Sequence, residues 1–278
     1  MATRTTPGTT AALSIAGSDP SGGAGIQADL KTFAAMNVFG CTAITAITAQ
    51  NTTAVQHSHA LDPAWVQQQI DAVAGDIPIS ATKTGMLANA QIVATVAEAV
   101  RRHKLAPLVV DPVIAATTGG NLTDDQAVKT LCRSLLPLAA IVTPNGHEAA
   151  QMLEQPKPVT DVFGAADAAK QICAKFGAKT CLVTGIKRPA EQSAEAIDVF
   201  FDGSDVHEIA SDWRSTTSLH GSGCTLSAAI AAGLALGHPI DVAVQTAKSV
   251  VSEAIRQTTD LGRGTSPVNH LAYLSVKK

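Results

Sequence analysis

The sequence has 278 residues, of which 46% are hydrophobic, 15% are charged and 3% are aromatic, and its formal net charge is −3. This balance excludes a broad basic surface for a phosphate backbone, and the few aromatic side chains argue against stacking on single-stranded bases. No apolar run reaches the ~20 residues that a membrane-spanning helix needs. We therefore expect neither a nucleic acid nor a membrane as a partner.

The five cysteines are scattered through the chain and never form a C-x-x-C pair. An odd number of isolated cysteines is typical of reduced thiols, so we expect a cytoplasmic protein. Residues 1–10 are rich in threonine and carry only Arg4 as a charged group, which predicts a flexible N-terminal tail. Glycine and proline are spread evenly over residues 11–278, and we expect this stretch to form one domain.

The first half of the chain alternates short apolar strands with helices. Strands are predicted over 11–16, 41–49, 80–84 and 108–112, and helices over 26–36, 63–75 and 90–103. Asp62 and Asn89 are residue types that cap helix N-termini, and Pro63 suits the first helical position. The apolar runs are short enough to be strands buried in a sheet.

The second half continues this alternation. Helices are predicted over 123–135, 160–176, 224–237 and 241–257, and strands over 139–143, 180–184, 196–201 and 206–210. Thr123 and Thr160 are the expected N-caps of the first two helices. Asp202 and Gly203 lie between the last two strands, which is typical of a β-hairpin.

Strands that alternate with helices predict βαβ units, a mostly parallel central sheet and helices on both of its faces. Ligands of such open sheets bind beyond the carboxyl ends of the strands. The residues with ligand-binding chemistry that fall at these predicted ends are Gly17, Asp19, Gln50, Gly85, Asp111, Asn145, Glu148 and Lys187. Their concentration at one edge of the sheet predicts the functional site there.

A glycine loop, Gly221-Ser222-Gly223, runs directly into an Ala- and Leu-rich helix that begins at Cys224. Backbone N–H groups at a helix N-terminus favour an anion, and glycine lets a ligand approach them closely. A thiol at this position is expected to have a lowered pKa. The same residues are equally compatible with a simple glycine cap on a buried helix and with Cys224 as a packing residue.

Asp111 and Glu148 are carboxylates at the ends of predicted neighbouring strands. Each alone is better explained structurally, as a turn residue before Pro112 and as a first-turn helix residue. Together they suit Mg²⁺, which takes oxygen ligands and keeps phosphates in its shell. With an anion site opposite them, the pair favours phosphoryl transfer from a nucleotide.

Ordered motifs through almost the whole chain resemble the hydroxymethylpyrimidine/phosphomethylpyrimidine kinases. The opening motif is AGSDPSGGAGIQADLKTF at residues 16–33, and the glycine loop reads HGSGCTLS at 220–227. The other similar segments lie at 49–52, 83–87, 110–113, 143–148, 262–264 and 267–270. The resemblance implies a ribokinase-like three-layer αβα sandwich and a single kinase domain.

The family phosphorylates 4-amino-5-hydroxymethyl-2-methylpyrimidine with MgATP, and then its monophosphate, in thiamine biosynthesis. The resemblance thus implies ATP and Mg²⁺ as cofactors, a small pyrimidine as substrate and a homodimer. It places Gly17, Asp29, Gln50, Met86 and Cys224 in the pyrimidine pocket and Gly221, Ser222, Gly223 and Cys224 at the catalytic anion hole. It places Asp111 and Glu148 at the metal, and Asn145, Glu148, Thr184 and Lys187 at the nucleotide.

The sequence departs from the family pattern at three places. A family lysine is replaced by Thr117, a Lys-Gly-Gly-His segment reads Thr184-Gly185-Ile186-Lys187, and Leu219 replaces a small polar residue. A phosphate-contacting lysine is thus either moved to Lys187 or lost. Two other functions stay open, a pyridoxal kinase on the same fold and a non-catalytic protein that binds a pyrimidine.

Overall fold

A computed structural model describes residues 9–114, 123–189, 194–213, 220–258 and 260–276. Its strands, numbered along the chain, are β1 (Ala11–Ser18), β2 (Phe39–Gln50), β3 (Val55–Ala60), β4 (Ile79–Thr84), β5 (Leu108–Val110), β6 (Ile141–Val142), β7 (Thr180–Arg188), β8 (Glu195–Phe201) and β9 (Val206–Asp212). Within these residues they form one nine-stranded sheet in the order β3-β2-β1-β4-β5-β6-β7-β8-β9.

The helices cover both faces of this sheet. They are α1 (Gly25–Ala35), α2 (Pro63–Ala74), α3 (Ala90–His103), α4 (Asp125–Thr130), α5 (Gly146–Met152), α6 (Val162–Phe176), α7 (Ser222–Ala235), α8 (Ile240–Arg256) and α9 (Ala272–Val276). A π-helical segment, Leu131–Leu135, and a 3₁₀ turn, Leu136–Leu138, follow α4. In the part of the chain that the structure describes, no helix has both the length and the apolar character needed to span a bilayer.

Two of the predicted helix caps are confirmed and two are wrong by one residue. The side chains of Asp62 and Asn89 accept backbone N–H groups of α2 and α3. Helices α4 and α6 are capped by Asp124 and Asp161 instead of the preceding threonines. In both cases a carboxylate stands next to the threonine and accepts the N–H bond, while the Thr123 hydroxyl donates to the Val113 carbonyl oxygen at 3.0 Å.

The predicted mostly parallel sheet is confirmed. Strands β2, β1, β4, β5, β6 and β7 are parallel neighbours, whereas β3 pairs antiparallel to β2, and β8 and β9 form the expected hairpin beyond β7. Strand β3 could not be predicted from an apolar pattern, because its residues are polar and largely exposed at the edge of the sheet. The seven-residue helix α5 is indicated in the sequence only by Glu148, read there as a first-turn helix residue, and its bounds are not predicted.

The strands bury alternate side chains in two separate cores. Leu13 and Val110 pack with α2, α3 and α6 on one face, and Ala12 and Val109 pack with α1, α7 and α8 on the other. This alternation follows from the two-residue period of a strand and explains why the central strands read as continuous apolar runs. The carboxyl ends of these parallel central strands lie at one edge of the sheet, and the predicted polar residues lie there with them.

Candidate active site

A cavity of about 770 Å³ opens at the carboxyl edge of the sheet, between the strand ends and helices α7 and α8. Most residues predicted for the functional site share its wall, namely Gly17, Gln50, Met86, Asp111, Asn145, Glu148, Thr184, Gly221, Ser222, Gly223 and Cys224. Asp29 and Lys187 do not line it. Thr117 and Leu219, two of the departures from the family pattern, lie outside the described residues.

Two glycine loops, one before α1 and one before α7, pack against each other beside this cavity. Gly221 has a φ of 82°, and a Cβ on it would lie 1.7 Å from the Gly23 carbonyl oxygen. Gly25 has a φ of 59°, and its Cβ would lie 2.4 Å from the Gly17 carbonyl oxygen. Since no side chain fits either position, both loops depend on glycine for their close approach.

The N-terminus of α7 has the form expected of an anion site. Gly221 is the N-cap, and no side chain caps the first turn among the described residues. A Cβ on Gly223 would meet nothing within 4 Å, so the space over this turn is open to the cavity. The first backbone N–H groups of a helix lack intrahelical partners and can donate to an anion held there.

Cys224 lies in the first turn of α7 and lines the cavity. Burial raises the pKa of its thiol to about 12, and Asp111 and Asp29 act in the same direction. The Lys83 ammonium and a backbone hydrogen bond with Gly25 lower this pKa, but less. The predicted lowering of the Cys224 pKa is therefore wrong, because the loss of water around a thiolate outweighs the nearby positive charge.

Lys83 is the first residue of the similar segment at 83–87 and was not predicted as a site residue. Its side chain is fully buried on β4, yet it reaches the cavity wall. Nζ lies 2.9 Å from Oδ1 of Asp29 and 4.0 Å from Oδ2 of Asp111. Burial alone would lower the pKa of Lys83, but these carboxylates and Cys224 raise it overall, so the ammonium stays charged. The sequence did contain an indication of this role, namely a lysine within an otherwise uncharged central strand.

Asp29 lies behind Lys83 and is also fully buried. Its carboxylate accepts from the Ser14 hydroxyl at 2.5 Å and from Lys83. The geometry does not favour the predicted direct contact between Asp29 and a substrate, because α1 presents this carboxylate to β4 and away from the cavity wall. Its observed part is to hold the Lys83 ammonium in place.

Asp111 and Glu148 are close enough to influence each other, as the sequence predicts. Asp111 accepts from the Ser227 hydroxyl at 2.9 Å, and Glu148 accepts from the Asn145 backbone N–H at 2.9 Å. Burial, together with repulsion by Asp111, raises the pKa of Glu148 to about 8. Glu148 also completes a capping box with Asn145, so its structural role and its place in the site coexist.

This pair of carboxylates fits Mg²⁺ better than a transition metal. The described residues contain no group of three or more His, Cys, Asp or Glu side chains that could hold a metal. Mg²⁺ is usually bound through one or two carboxylates together with substrate phosphates. The mutual repulsion of Asp111 and Glu148 is the electrostatic feature that a cation between them would relieve.

The opposite part of the cavity carries a different set of groups. Gln50 lies at the end of β2, and a Cβ on Gly17 would lie 2.9 Å from the Met86 methyl carbon. Asp19 and His220, which come from the two glycine loops, are joined at 2.8 Å beside Gln50. This part offers an amide, a flexible thioether and a small backbone position, a combination suited to a flat heteroaromatic ring.

Strand β7 is longer than predicted: it continues to Arg188, so Lys187 lies within the strand and not after its end. Thr184 lines the cavity, but the exposed Lys187 lies outside the wall, with its ammonium 5.2 Å from the centre of the Trp213 ring. Lys248 on α8 does line the cavity, and its Nζ lies 2.9 Å from Oδ2 of Asp198. Lys248 was not predicted from the sequence, because only the tertiary fold brings α8 next to Asp198 on β8.

Comparison with known proteins decides the family. The family model described as phosphomethylpyrimidine kinase matches residues 19–269. The chain belongs to this family. It is accordingly a phosphotransferase, an ATP-using kinase that acts on a small molecule, as the motifs predicted.

Relatives support this assignment over nearly the whole chain. A hydroxymethylpyrimidine/phosphomethylpyrimidine kinase of Synechococcus elongatus is 44% identical over 261 residues, which cover 93% of this chain and 96% of the relative. The thiamine biosynthesis bifunctional protein ThiED of Geobacter sulfurreducens is 41% identical over 93% of this chain. The chain spans about half of that longer relative, 52% of its length.

Solved structures confirm the ribokinase-like fold. An ADP complex of Bacillus subtilis pyridoxal kinase has a TM-score of 0.86 at 34% identity and covers 95% of this chain and 98% of its own. The phosphomethylpyrimidine kinase of Clostridium difficile has a TM-score of 0.76 at 37% identity and covers 89% of this chain and 100% of its own. The three-layer sandwich expected from the sequence is therefore confirmed.

Proposed function

We propose that the kinase transfers the γ-phosphoryl group of ATP to the hydroxymethyl group of 4-amino-5-hydroxymethyl-2-methylpyrimidine, and then phosphorylates the monophosphate, in thiamine diphosphate biosynthesis. One observation carries this proposal. A single cavity holds an open helix N-terminus and two coupled carboxylates on one side, and the Gln50 amide on the other. The names of the family and of its relatives support the pyrimidine as substrate.

The residues of this chain divide the work of phosphoryl transfer between them. Gly17, Gln50 and Met86 bind the ring and point its hydroxymethyl group toward the loop that precedes α7. The backbone N–H groups at the start of α7 stabilise the charge of the transferred phosphoryl group. Cys224 orients the attacking hydroxyl, which suits a thiol that is protonated at neutral pH.

Asp111 and Glu148 would hold Mg²⁺, with Asn145 and Thr184 beside the nucleotide. When bound, the ion supplies positive charge between the phosphates. Lys83, held by Asp29, adds a fixed ammonium at the same wall. This buried ammonium can supply positive charge near the phosphates although the family's usual lysines are replaced. Lys187, which lies against Trp213 outside the cavity wall, then contributes little to ATP binding.

Pyridoxal is a second candidate substrate, favoured by the similarity to pyridoxal kinase of B. subtilis. Both molecules are heteroaromatic rings that carry a hydroxymethyl group, so a single pocket can accommodate either. The pyrimidine is preferred because the family assignment and the named relatives point to it.

The test is an ADP-release assay on the purified enzyme with MgATP and three acceptors: the pyrimidine, its monophosphate and pyridoxal. We expect turnover with both pyrimidines and a lower kcat/KM with pyridoxal. Binding of the pyrimidine without ADP release would indicate a non-catalytic binding protein. A kcat/KM that is higher for pyridoxal would replace the proposed substrate by the second candidate.

The compartment, the chain organisation and the oligomeric state are part of the same proposal. The five free cysteines fit a cytoplasmic enzyme. Residues 11–278 form one kinase domain in this proposal, and the tail predicted at residues 1–10 lies almost entirely outside the described residues, which begin at residue 9. Large apolar side chains on β2 and α2, namely Phe39, Ile47 and Trp65, are about half exposed or more, which supports a homodimer. Sedimentation analysis should give twice the chain mass of 28.4 kDa.

A further inference from the structure

The Asp19 carboxylate is an ionised acceptor at the centre of the first glycine loop. Its Oδ1 accepts from the Ser21 N–H at 2.8 Å, and its Oδ2 accepts from the Ala24 N–H at 2.9 Å and faces Nε2 of His220 at 2.8 Å. Burial would raise the pKa of Asp19, but the hydrogen bonds from His220, Ser21 and Ala24 lower it overall. A carboxylate without a proton can only accept, so Nε2 of His220 must carry the hydrogen.

The other ring nitrogen of His220 leads to the same tautomer. His220 is only 4% exposed, and its Nδ1 has no hydrogen-bond partner among the residues that the structure describes. A hydrogen on Nδ1 would be a buried donor without an acceptor, which is costly. Both nitrogens therefore place the single proton on Nε2, where Asp19 accepts it.

This tautomer decides how the amide of Gln50 is oriented. One terminal atom of that amide lies 3.4 Å from Nε2 of His220, and the other lies 3.3 Å from Oγ1 of Thr48. An amide nitrogen facing Nε2–H would set donor against donor, whereas the amide oxygen accepts part of this hydrogen bond. The two orientations differ by a half turn of the amide, and hydrogen-bond partners decide between them.

Thr48 completes the chain of hydrogen bonds at the other end. Its hydroxyl donates to the Ser18 carbonyl oxygen at 3.1 Å, which leaves the Oγ1 lone pairs to accept from the Gln50 amide nitrogen. The bonds then run in one direction, from Nε2–H to the amide oxygen and from the amide nitrogen to Oγ1. The second N–H of the Gln50 amide takes no part in this series of hydrogen bonds. Because Gln50 lines the cavity, that N–H can donate to a ligand.

We propose that Asp19 and His220 are positioning residues that fix the Gln50 amide so that it presents an N–H donor to the substrate. The inference rests on the proposed function and refines it. A presented donor selects a ring nitrogen that has a lone pair and rejects one that carries hydrogen. The enzyme therefore accepts 4-aminopyrimidines and discriminates against their 4-oxo counterparts, whose adjacent ring nitrogen is protonated.

The test compares kcat/KM for 4-amino-5-hydroxymethyl-2-methylpyrimidine and for its 4-oxo analogue. We expect the wild-type enzyme to favour the amino compound by about tenfold to a hundredfold, the effect of one unpaired buried polar group. His220→Leu removes the group that orients the Gln50 amide, which can then turn over. The kcat/KM values of the two compounds should then differ by no more than about threefold, and most of the change should be in KM. A purely structural role of His220 would instead lower both kcat/KM values equally and keep the ratio.

Two further measurements decide the case if His220→Leu fails to fold. Nitrogen NMR of ¹⁵N-histidine-labelled wild type should show the hydrogen of His220 on Nε2 and not on Nδ1. Thr48→Val removes the hydroxyl that accepts from the Gln50 amide, at the other end of this series of hydrogen bonds. It should reduce the ratio of kcat/KM for the amino compound to kcat/KM for the 4-oxo compound. Thr42→Val, the same change on the same strand at a residue that does not line the cavity, should leave it unchanged.

The outcomes separate this inference from the function on which it rests. Turnover of neither compound by the wild type would contradict the proposed function. Equal kcat/KM values for the two compounds, or a hydrogen on Nδ1 of His220, would contradict the proposal that Asp19 and His220 orient the Gln50 amide. Neither result would contradict the kinase activity. A His220→Leu enzyme that folds and keeps the full ratio would also contradict the proposed orienting role of Asp19 and His220.

Discussion

Replacing Glu148 by glutamine removes a buried titratable carboxyl group and preserves the helix cap. Oε2 of Glu148 accepts from the Asn145 N–H at 2.9 Å, and a glutamine amide oxygen can accept the same bond. Glu148 is only 9% exposed, and burial together with the charge of Asp111 raises its pKa from 4.5 to about 8. The substitution therefore isolates the electrostatic cost of this carboxyl group.

The sign of the effect follows from proton linkage. A raised carboxyl pKa means that the unfolded chain loses its proton at lower pH than the folded chain does. The stabilising contribution of the protonated group is complete below pH 4.5 and is lost as the pH rises to about 8. At ~1.4 kcal/mol for each pKa unit, the loss amounts to about 3 kcal/mol between about pH 5 and about pH 8.

The assay is urea unfolding of wild type and Glu148→Gln at intervals across this pH range, without nucleotide or metal. The free energy of unfolding of the variant should rise relative to wild type by about 3 kcal/mol toward the alkaline end. Glu98→Gln, the same change at an exposed site on α3, should follow wild type throughout. Parallel pH profiles for Glu148→Gln and wild type would refute the reasoning.

The remaining predictions concern the cavity wall. Gln50→Ala should weaken pyrimidine binding by about 1–3 kcal/mol in calorimetry, and unchanged affinity would remove Gln50 from the pocket. Asp111→Asn should lower turnover roughly a hundredfold and leave pyrimidine affinity nearly intact, so normal turnover at limiting Mg²⁺ would contradict the metal site. Iodoacetamide should alkylate Cys224 about a thousandfold more slowly than a free thiol, as followed by peptide mass spectrometry, and Cys224→Ser should keep most of the turnover if the thiol only orients the hydroxyl. Lys83→Met should lower the free energy of unfolding by about 3–5 kcal/mol, with partial recovery on adding Asp29→Asn.

Much of the architecture could be predicted because it depends on local pattern. The apolar runs that end at Gly17 and Asp111 are strands, and the glycine loop before Cys224 opens a helix, as expected. Asp62 and Asn89 cap the helices that follow them. Each of these features depends on interactions between residues within a few positions of one another, so the local sequence is enough to predict it.

Burial and charge at the site could not be predicted in the same way. The pKa of Cys224 is raised although its place at a helix N-terminus favours a lower one, because segments distant in sequence surround the thiol and remove much of the water that would stabilise a thiolate. Lys83 and Asp29 pair across 54 positions of sequence. The polar edge strand β3 gave no apolar signal, since pairing with β2 is its main constraint.

The sequence by itself determined the family, the parallel sheet and the edge at which the site lies, because strand period, glycine loops and motif order are properties of neighbouring residues. Only the tertiary structure decided which polar groups meet. Asp19 and His220 are 201 positions apart, and their contact exists because β1 ends and α7 begins at the same edge of the sheet. Hydrogen-bond direction and desolvation act over a few ångströms in space, so they follow from the folded arrangement and not from spacing along the chain.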